Sequence, residues 1–335
     1  MTEYIIRRLL ALIPVLLVAS AIVFFSLRLF APVDIIEETL AESPGAGDPI
    51  VRERLRKEFG LDKPLLPFFK IEDGQFTVDP TEPGQYVSWL WGAVRGDLGT
   101  SWSSGRPVFQ QIMEALPVSL ELSLLALIVA VVISIPLGVL SAVRQDTAFD
   151  YTARFFAIIG LSIPNFVIAT VLLLVPAMTW GWAPPLGYAA PWEDLGKHAT
   201  QMFMPLVSLG AFIGATKVRL LRSSMLEVLR NDYIRTARAK GVREQLVVYR
   251  HALKNALIPT FTLFGLQIGT TLGGSVVVEQ IFSLPGLGRL TLAAIQRGDF
   301  PQLQANVLYL LVIYVTVNLI TDISYAWLDP RIRYN

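Results

Sequence analysis

The stretch Asn231-Asp232-Tyr233-Ile234-Arg235-Thr236-Ala237-Arg238-Ala239-Lys240-Gly241 lies between two apolar segments. It runs on through Arg250-His251-Ala252-Leu253-Lys254-Asn255-Ala256-Leu257-Ile258-Pro259. Asp232 suits the cap of a helix, where a negative side chain meets free N–H groups and the positive end of the dipole. Thr236, Ala237, Ala239 and Gly241 keep that helix narrow, and Gly241 suits the left-handed turn that ends it. A narrow, basic helix fits the cleft of another protein. Positive charge by itself is common to the inner loops of membrane proteins, so the surrounding segments carry the rest of the reading.

Those segments are apolar. Hydrophobic residues make up 53% of the 335 and charged residues 16%, against about 25% charged in a soluble chain. A membrane helix needs about 20 mostly apolar residues. Six such spans are expected, near 5–30, 116–143, 153–178, 202–222, 257–281 and 304–327. The first has Arg7 and Arg8 before it and Ala19-Ser20-Ala21 within it, as a signal peptide would. Its apolar run continues to Phe30, so an uncleaved anchor is expected.

The basic residues set the orientation. Arg7 and Arg8, Arg144 and Arg154, the cluster from Arg222 to Lys254, and Arg331 and Arg333 fall on one side if the spans alternate. That side is expected to be cytoplasmic, with both termini. Three regions follow: residues 1–30 as the first helix and anchor, 31–115 as an external lobe, and 116–335 as a five-helix core with an inner loop at 223–256. The lobe is rich in Pro, Gly and acids. A short helix is expected over 51–59, and a hairpin or loop over 71–81 with Asp73-Gly74 as its turn. A second outer loop, 179–201, carries Trp180, Trp182 and Trp192, placed for the headgroup interface. Residues 244–257 form an amphipathic helix leading into the fifth span.

No catalytic constellation is found. The chain has no Cys, and His198 and His251 lack ligand spacing, so no metal site is expected and both read as ordinary loop histidines. There is no phosphate-binding Gly-x-x-x-x-Gly-Lys-Ser/Thr, no His-Glu-x-x-His and no Gly-x-Ser-x-Gly. Energy for uphill transport must come from a partner or an ion gradient. The net charge of +1 gives no ground for a nucleic-acid partner. Glu121, Lys217, Glu279 and Asp322 are expected near span ends, within reach of water. That argues against an ion-driven carrier, which places acids near the midplane. In the fifth span Gly265, Gly269 and Gly273 recur every four residues on one face. They serve either tight packing or a moving interface that lines a pathway with Gln267, Thr270 and Thr271. Pro136, Gly138 and Pro164 offer kink sites.

The opening stretch resembles the coupling loop of the membrane subunits of bacterial ABC importers. Asp-Tyr-Ile-Arg-Thr-Ala-Arg-Ala-Lys-Gly (232–241) is similar to the dipeptide/oligopeptide/nickel branch, and the resemblance to that branch's B-type permease covers nearly the whole chain. Arg7-Arg8-Leu9-Leu10, Gly60-Leu61-Asp62-Lys63-Pro64-Leu65, Gly96-Asp97-Leu98-Gly99-Thr100-Ser101, Ser162-Ile163-Pro164-Asn165-Phe166, Pro285-Gly286-Leu287-Gly288-Arg289-Leu290 and Leu328-Asp329-Pro330-Arg331-Ile332-Arg333 follow in the family's order. Arg235 departs from the general pattern, which has Glu there, and Leu253-Lys254 stands where many relatives have Leu-Pro. The resemblance implies an all-α, six-helix fold of the type I ABC importer permease kind, with an external lobe between helices 1 and 2. It implies a second related permease, two cytoplasmic ATPases that hold ATP and Mg, and an external solute-binding protein. The chain itself would bind no cofactor and would not be an enzyme. Asp232, Tyr233, Arg235, Thr236, Ala237, Arg238, Ala239, Lys240 and Gly241 would contact an ATPase. The location would be a prokaryotic inner membrane. The solute would be a peptide, with oligosaccharides or nickel as alternatives.

Overall fold

The computed structural model describes residues 2–30, 50, 69–72, 75–78 and 84–328. The expected helix over 51–59, the motif at 60–65, most of the acidic outer segment and residues 329–333 of the terminal motif lie outside the described residues. In chain order come α1 (Thr2–Phe30), β1 (Phe69–Glu72), β2 (Gln75–Val78), α2 (Gly84–Val94), α3 (Val108–Val143), α4 (Ala148–Ser162) and α5 (Asn165–Trp180). Then follow α6 (Leu195–Leu229), α7 (Asp232–Ala239), α8 (Glu244–Leu246), a π turn (Val247–Ala252) and α9 (Leu253–Gly274). The last elements are α10 (Val276–Ile281), α11 (Leu287–Gln296) and α12 (Phe300–Leu328).

Among the described residues, five helical runs are long and apolar enough to cross a bilayer: Ile6–Leu27, Val108–Val143, Leu195–Leu229, Glu244–Gly274 and Phe300–Thr321. The expected third span is not one straight helix. α4 and α5 meet at a bend of 100°. Pro164 lacks an N–H and pushes Ile163 out of the helical region, to φ −95° and ψ 122°. At 1.5 Å per residue, neither half alone reaches the ~30 Å of a hydrocarbon core. Counted together the pair makes the sixth span. The expected fifth span, 257–281, also breaks. Its helix ends at Gly274, and Ser275 turns the chain into α10. The hairpin pairs Glu72 with Gln75 and Phe69 with Val78, closing across two residues as the Asp73-Gly74 signal requires.

The chain divides into two compact units, Met1–Ala115 with Leu290–Val312, and Leu116–Arg289 with Ile313–Asn335. In the first, α1 packs on α2 through Phe24, Phe25, Tyr86 and Trp89, with ring centroids 5.4–5.6 Å apart for Phe24 against Tyr86 and Trp89. Ser20 Oγ and Tyr86 Oη share a 2.9 Å hydrogen bond. The Gly96–Ser101 motif has a structural task here. Asp299, before α12, accepts from Ser103 Oγ at 2.8 Å and from the N–H groups of Trp102 and Ser103 at 3.2 Å. Ser101 Oγ donates to the same carboxylate.

In the second unit, one apolar cluster joins α3, α6 and α9 through residues such as Leu122, Met202, Leu209 and Phe264. Two carboxylates are buried beside such apolar faces. Asp150, at the start of α4, accepts from Arg222 Nε and Nη2 at 2.6 Å each, from the Asp146 N–H at 3.1 Å, and from Ser141 Oγ. Glu279 is 0% exposed. It accepts from Ser119 and Ser275 at 2.8 Å and from the Arg289 N–H at 2.9 Å. Lys217 is 3% exposed. Glu279 and Lys217 therefore do not reach water as expected. α10 lies against α3 through the Ser119–Glu279 hydrogen bond, which encloses the carboxylate. The Pro285–Leu290 motif wraps the same group, since a Cβ on Gly286 would strike the Glu279 carboxylate. Only glycine permits that approach.

His198 is not a loop histidine. Asp194 caps α6 by accepting from the Lys197 N–H at 2.9 Å, so the helix starts earlier than expected and takes in His198. Its ring is buried, with Nε2 2.8 Å from Glu121 Oε1 and Nδ1 2.9 Å from Ala189 O. Tyr188 Oη donates to Glu121 at 3.3 Å. Burial, with Glu121 alongside, pushes the Tyr188 phenol up to about 12, so it remains a donor.

Removing one partner of a buried ion pair strands the other charge, at about 3–5 kcal/mol. Asp150→Asn should therefore lower the thermal midpoint of the purified protein markedly, while Glu114→Gln, in an exposed pair with Arg106, should shift it little. Equal shifts would contradict the assignment.

Candidate functional site

The loop at 223–256 holds α7 as a separate short helix between α6 and α9. One face is apolar and holds it to its own chain. Ile234 is 0% exposed and packs with Leu221, Met225, Val247, Val248 and Ala252. Ala237, one turn on, is half-buried against the same cluster. Ala237 therefore faces the permease, while Thr236, Ala239 and Lys240 are exposed and Arg235 is 78% exposed. Ile234 was missed by sequence reasoning. A lone Ile among basic residues was its signal.

The helix ends are built differently from expectation at one end and as expected at the other. Asn231, not Asp232, occupies the N-cap position, and no side chain caps the helix. Asp232 sits in the first turn, exposed, 3.5 Å from Arg235. It still complements the dipole there, but the exposed pair adds little. At the other end Gly241 has φ +77°. The Gly241 N–H donates to Arg238 O at 2.9 Å and the Val242 N–H to Ala237 O at 3.2 Å, a Schellman turn.

Two side chains tie α7 to the next helix. Arg238 donates to Glu244 through Nη2 at 2.7 Å and Nε at 3.1 Å. Asn255 Nδ2 donates to Tyr233 Oη at 2.9 Å. The expected amphipathic helix over 244–257 is present and continues into α9, but the π turn shifts its face. Val247, Val248, Ala252 and Ala256 are buried, and Leu246 is left exposed.

The fifth-span residues separate into two groups. A Cβ on Gly265 would strike Thr321, and one on Gly269 would strike Tyr314, so these two glycines seat α9 against α12. Gly273 faces open space. Gln267 Oε1 accepts from Lys217 Nζ at 3.3 Å, and Gln267 Nε2 donates to Thr270 Oγ1 at 3.1 Å. Thr271 is buried, and donates to Gln267 O at 2.7 Å.

Long apolar helices, one bent helix pair and the short α7 between two of them are the features of a multi-pass membrane protein. A family model described as the binding-protein-dependent transport system inner membrane component matches residues 134–334, and the chain belongs to that family. It is 39% identical to the glutathione transport system permease protein GsiC of Pectobacterium atrosepticum, over 100% of each chain. It is 40% identical to the oligopeptide transport system permease protein AppB of Bacillus subtilis and 36% identical to the dipeptide transport system permease protein DppB of Alkalihalophilus pseudofirmus, again over 100% of each. Among solved structures, an inward-facing form of the MetNI methionine ABC transporter superposes with a TM-score of 0.53 at 15% identity, covering 66% of this chain and 97% of that one. That likeness concerns fold alone. The chain is a multi-pass permease of the inner membrane, as the motif order implied.

Ile234→Ala removes the apolar knob of α7, a change worth about 2–5 kcal/mol for a buried site. Hydrogen exchange should accelerate at 232–242 with the spans unaffected. Gly241→Val should do the same through left-handed strain of about 1–2 kcal/mol. Unchanged protection in both would show that α7 is held otherwise.

Proposed function

We propose that this chain forms half of the translocation pathway of an ATP-driven importer for peptides or a related small solute. The observation that carries the reading is α7. A helix of eight residues is too short to be stable alone. It is pinned by Ile234 and leaves Tyr233, Arg235, Thr236, Ala239 and Lys240 exposed, on a loop whose basic charge supports a cytoplasmic side. Full-length likeness to peptide and glutathione permeases supports the solute class.

A partner ATPase takes the outward face of α7. Arg235, Lys240 and Asp232 supply charged contacts, while Thr236 and Ala239 allow close approach. Ala237 acts from behind, with Ile234, by holding the helix in place. Two such ATPases bear the ATP and Mg, and this chain supplies no nucleotide site. Their closure moves α7, and the continuous run from Glu244 to Gly274 carries that motion into the span. Closure shifts the permease only through contacts that differ between its two states. A second related permease completes the pathway. An external binding protein delivers solute to the outer side, which includes residues 31–115.

Single cysteines in this Cys-free chain test the orientation. Arg95→Cys should react with an impermeant thiol reagent in spheroplasts, and Arg243→Cys only after the membrane is opened. Reaction of both from outside would overturn it. Lys240→Glu, in the assembled complex, should abolish solute-stimulated ATP hydrolysis without loss of subunit association. Full stimulation in that variant would exclude α7 as the ATPase contact, and uptake that persists without any ATPase would favour an ion-driven carrier.

A further inference from the structure

Lys217 is the charge the coupling reading does not use. It stands on α6, ahead of Arg219 and Arg222, and it is 3% exposed. Its ammonium donates one hydrogen bond, to Gln267 Oε1 at 3.3 Å, and lies 5.7 Å from the Phe264 ring centroid. Among the described residues no carboxylate pairs with it, whereas Arg222 on the same helix has Asp150. A buried cation without a counter-charge is costly and calls for a functional reason.

The neighbours of Lys217 turn that charge into a directed site. The ammonium holds the Gln267 carbonyl inward, so the amide N–H groups point away from it. One of them donates to Thr270 Oγ1 at 3.1 Å. Thr270 is exposed, and Gly273 and Gly274 continue its side of α9. A Cβ on either glycine would meet nothing within 4 Å. The open stripe thus backs onto hydrogen-bond donors with a positive charge behind them. Such an arrangement favours an anion over a cation, and a neutral lipid tail gains nothing from it.

We propose that Lys217, acting through Gln267 and Thr270, forms a cationic subsite that receives a carboxylate of the solute on its way through the permease. The proposal rests on the reading of this chain as half of a peptide pathway. The carboxylate takes the outward N–H of Gln267, and the ammonium behind it supplies the compensating charge. The subsite is transient, because Gln267 returns to Thr270 when the solute leaves.

The test uses the complete importer in proteoliposomes, with trialanine and trialanine methylamide as probes. Lys217→Met keeps the stem and removes the charge; Lys217→Arg keeps the charge. Lys217→Met should cut trialanine uptake about tenfold, the loss of one charged hydrogen bond, with a smaller loss for the methylamide. Lys217→Arg should restore most trialanine uptake. The proposal is overturned if Lys217→Met carries trialanine at the parental rate, or if the arginine variant fails as badly as methionine. It is also overturned if both probes lose equally, as they would if a fixed acid of the second permease were the true partner. Should the methylamide not be carried by the parent, the methionine and arginine variants on trialanine decide. Absence of trialanine uptake by the parental complex would instead refute the peptide reading itself.

Discussion

A carboxylate among apolar helices persists only when donors surround it, because its desolvation is not otherwise offset. Asp150 and Glu279 impose that condition on the permease core. Arg222, Ser141 and the Asp146 N–H converge on the first, and Ser119, Ser275 and the Arg289 N–H on the second. Each set draws from separate elements. Meeting the first fixes the α3–α4 turn against α6. Meeting the second ties α10 to α3 and shapes the Pro285–Leu290 turn around it. The helices supply apolar surface, which packs in many ways. The buried acids select one of them.

The same logic explains how a small loop transmits force. α7 contributes little free energy of its own, so its position depends on Ile234 in the cluster built by α6 and the π turn. That cluster continues through Val139 and Ala142 into α3. A displacement of α7 therefore meets packed side chains in three directions. The Schellman turn at Gly241 and the Arg238–Glu244 pair make the path to α9 short.

The spans and the family were legible in the sequence because they rest on long apolar runs and on an ordered string of residues. The left-handed Gly241 was legible for local steric reasons. What escaped reading depends on contacts between distant residues. Glu279 looked like a span-end acid, and its burial follows from Ser119, 160 positions away. His198 looked like a loop residue until Asp194 extended the helix around it. Pro164 signalled a kink, but the 100° bend also needs neighbours that accept two half-length helices. Ala237 was assigned to the docking face because its small size suits close contact. The structure shows it half-buried against the Ile234 cluster, a packing that spacing alone did not reveal. Lys217 was visible as a charge, and its enclosure was not.

The seat of Ile234 gives the coupling loop an asymmetric mechanical response. A push on α7 toward the bundle drives an aliphatic knob into a close-packed socket, which has low compressibility. Such a load passes on almost rigidly. A pull acts on dispersion contacts that fade within an ångström of separation, leaving the Arg238–Glu244 and Tyr233–Asn255 tethers to bear it. The joint is stiff as a strut and compliant as a rope. Under the proposed coupling, a partner's inward push on α7 therefore passes on more fully than its pull.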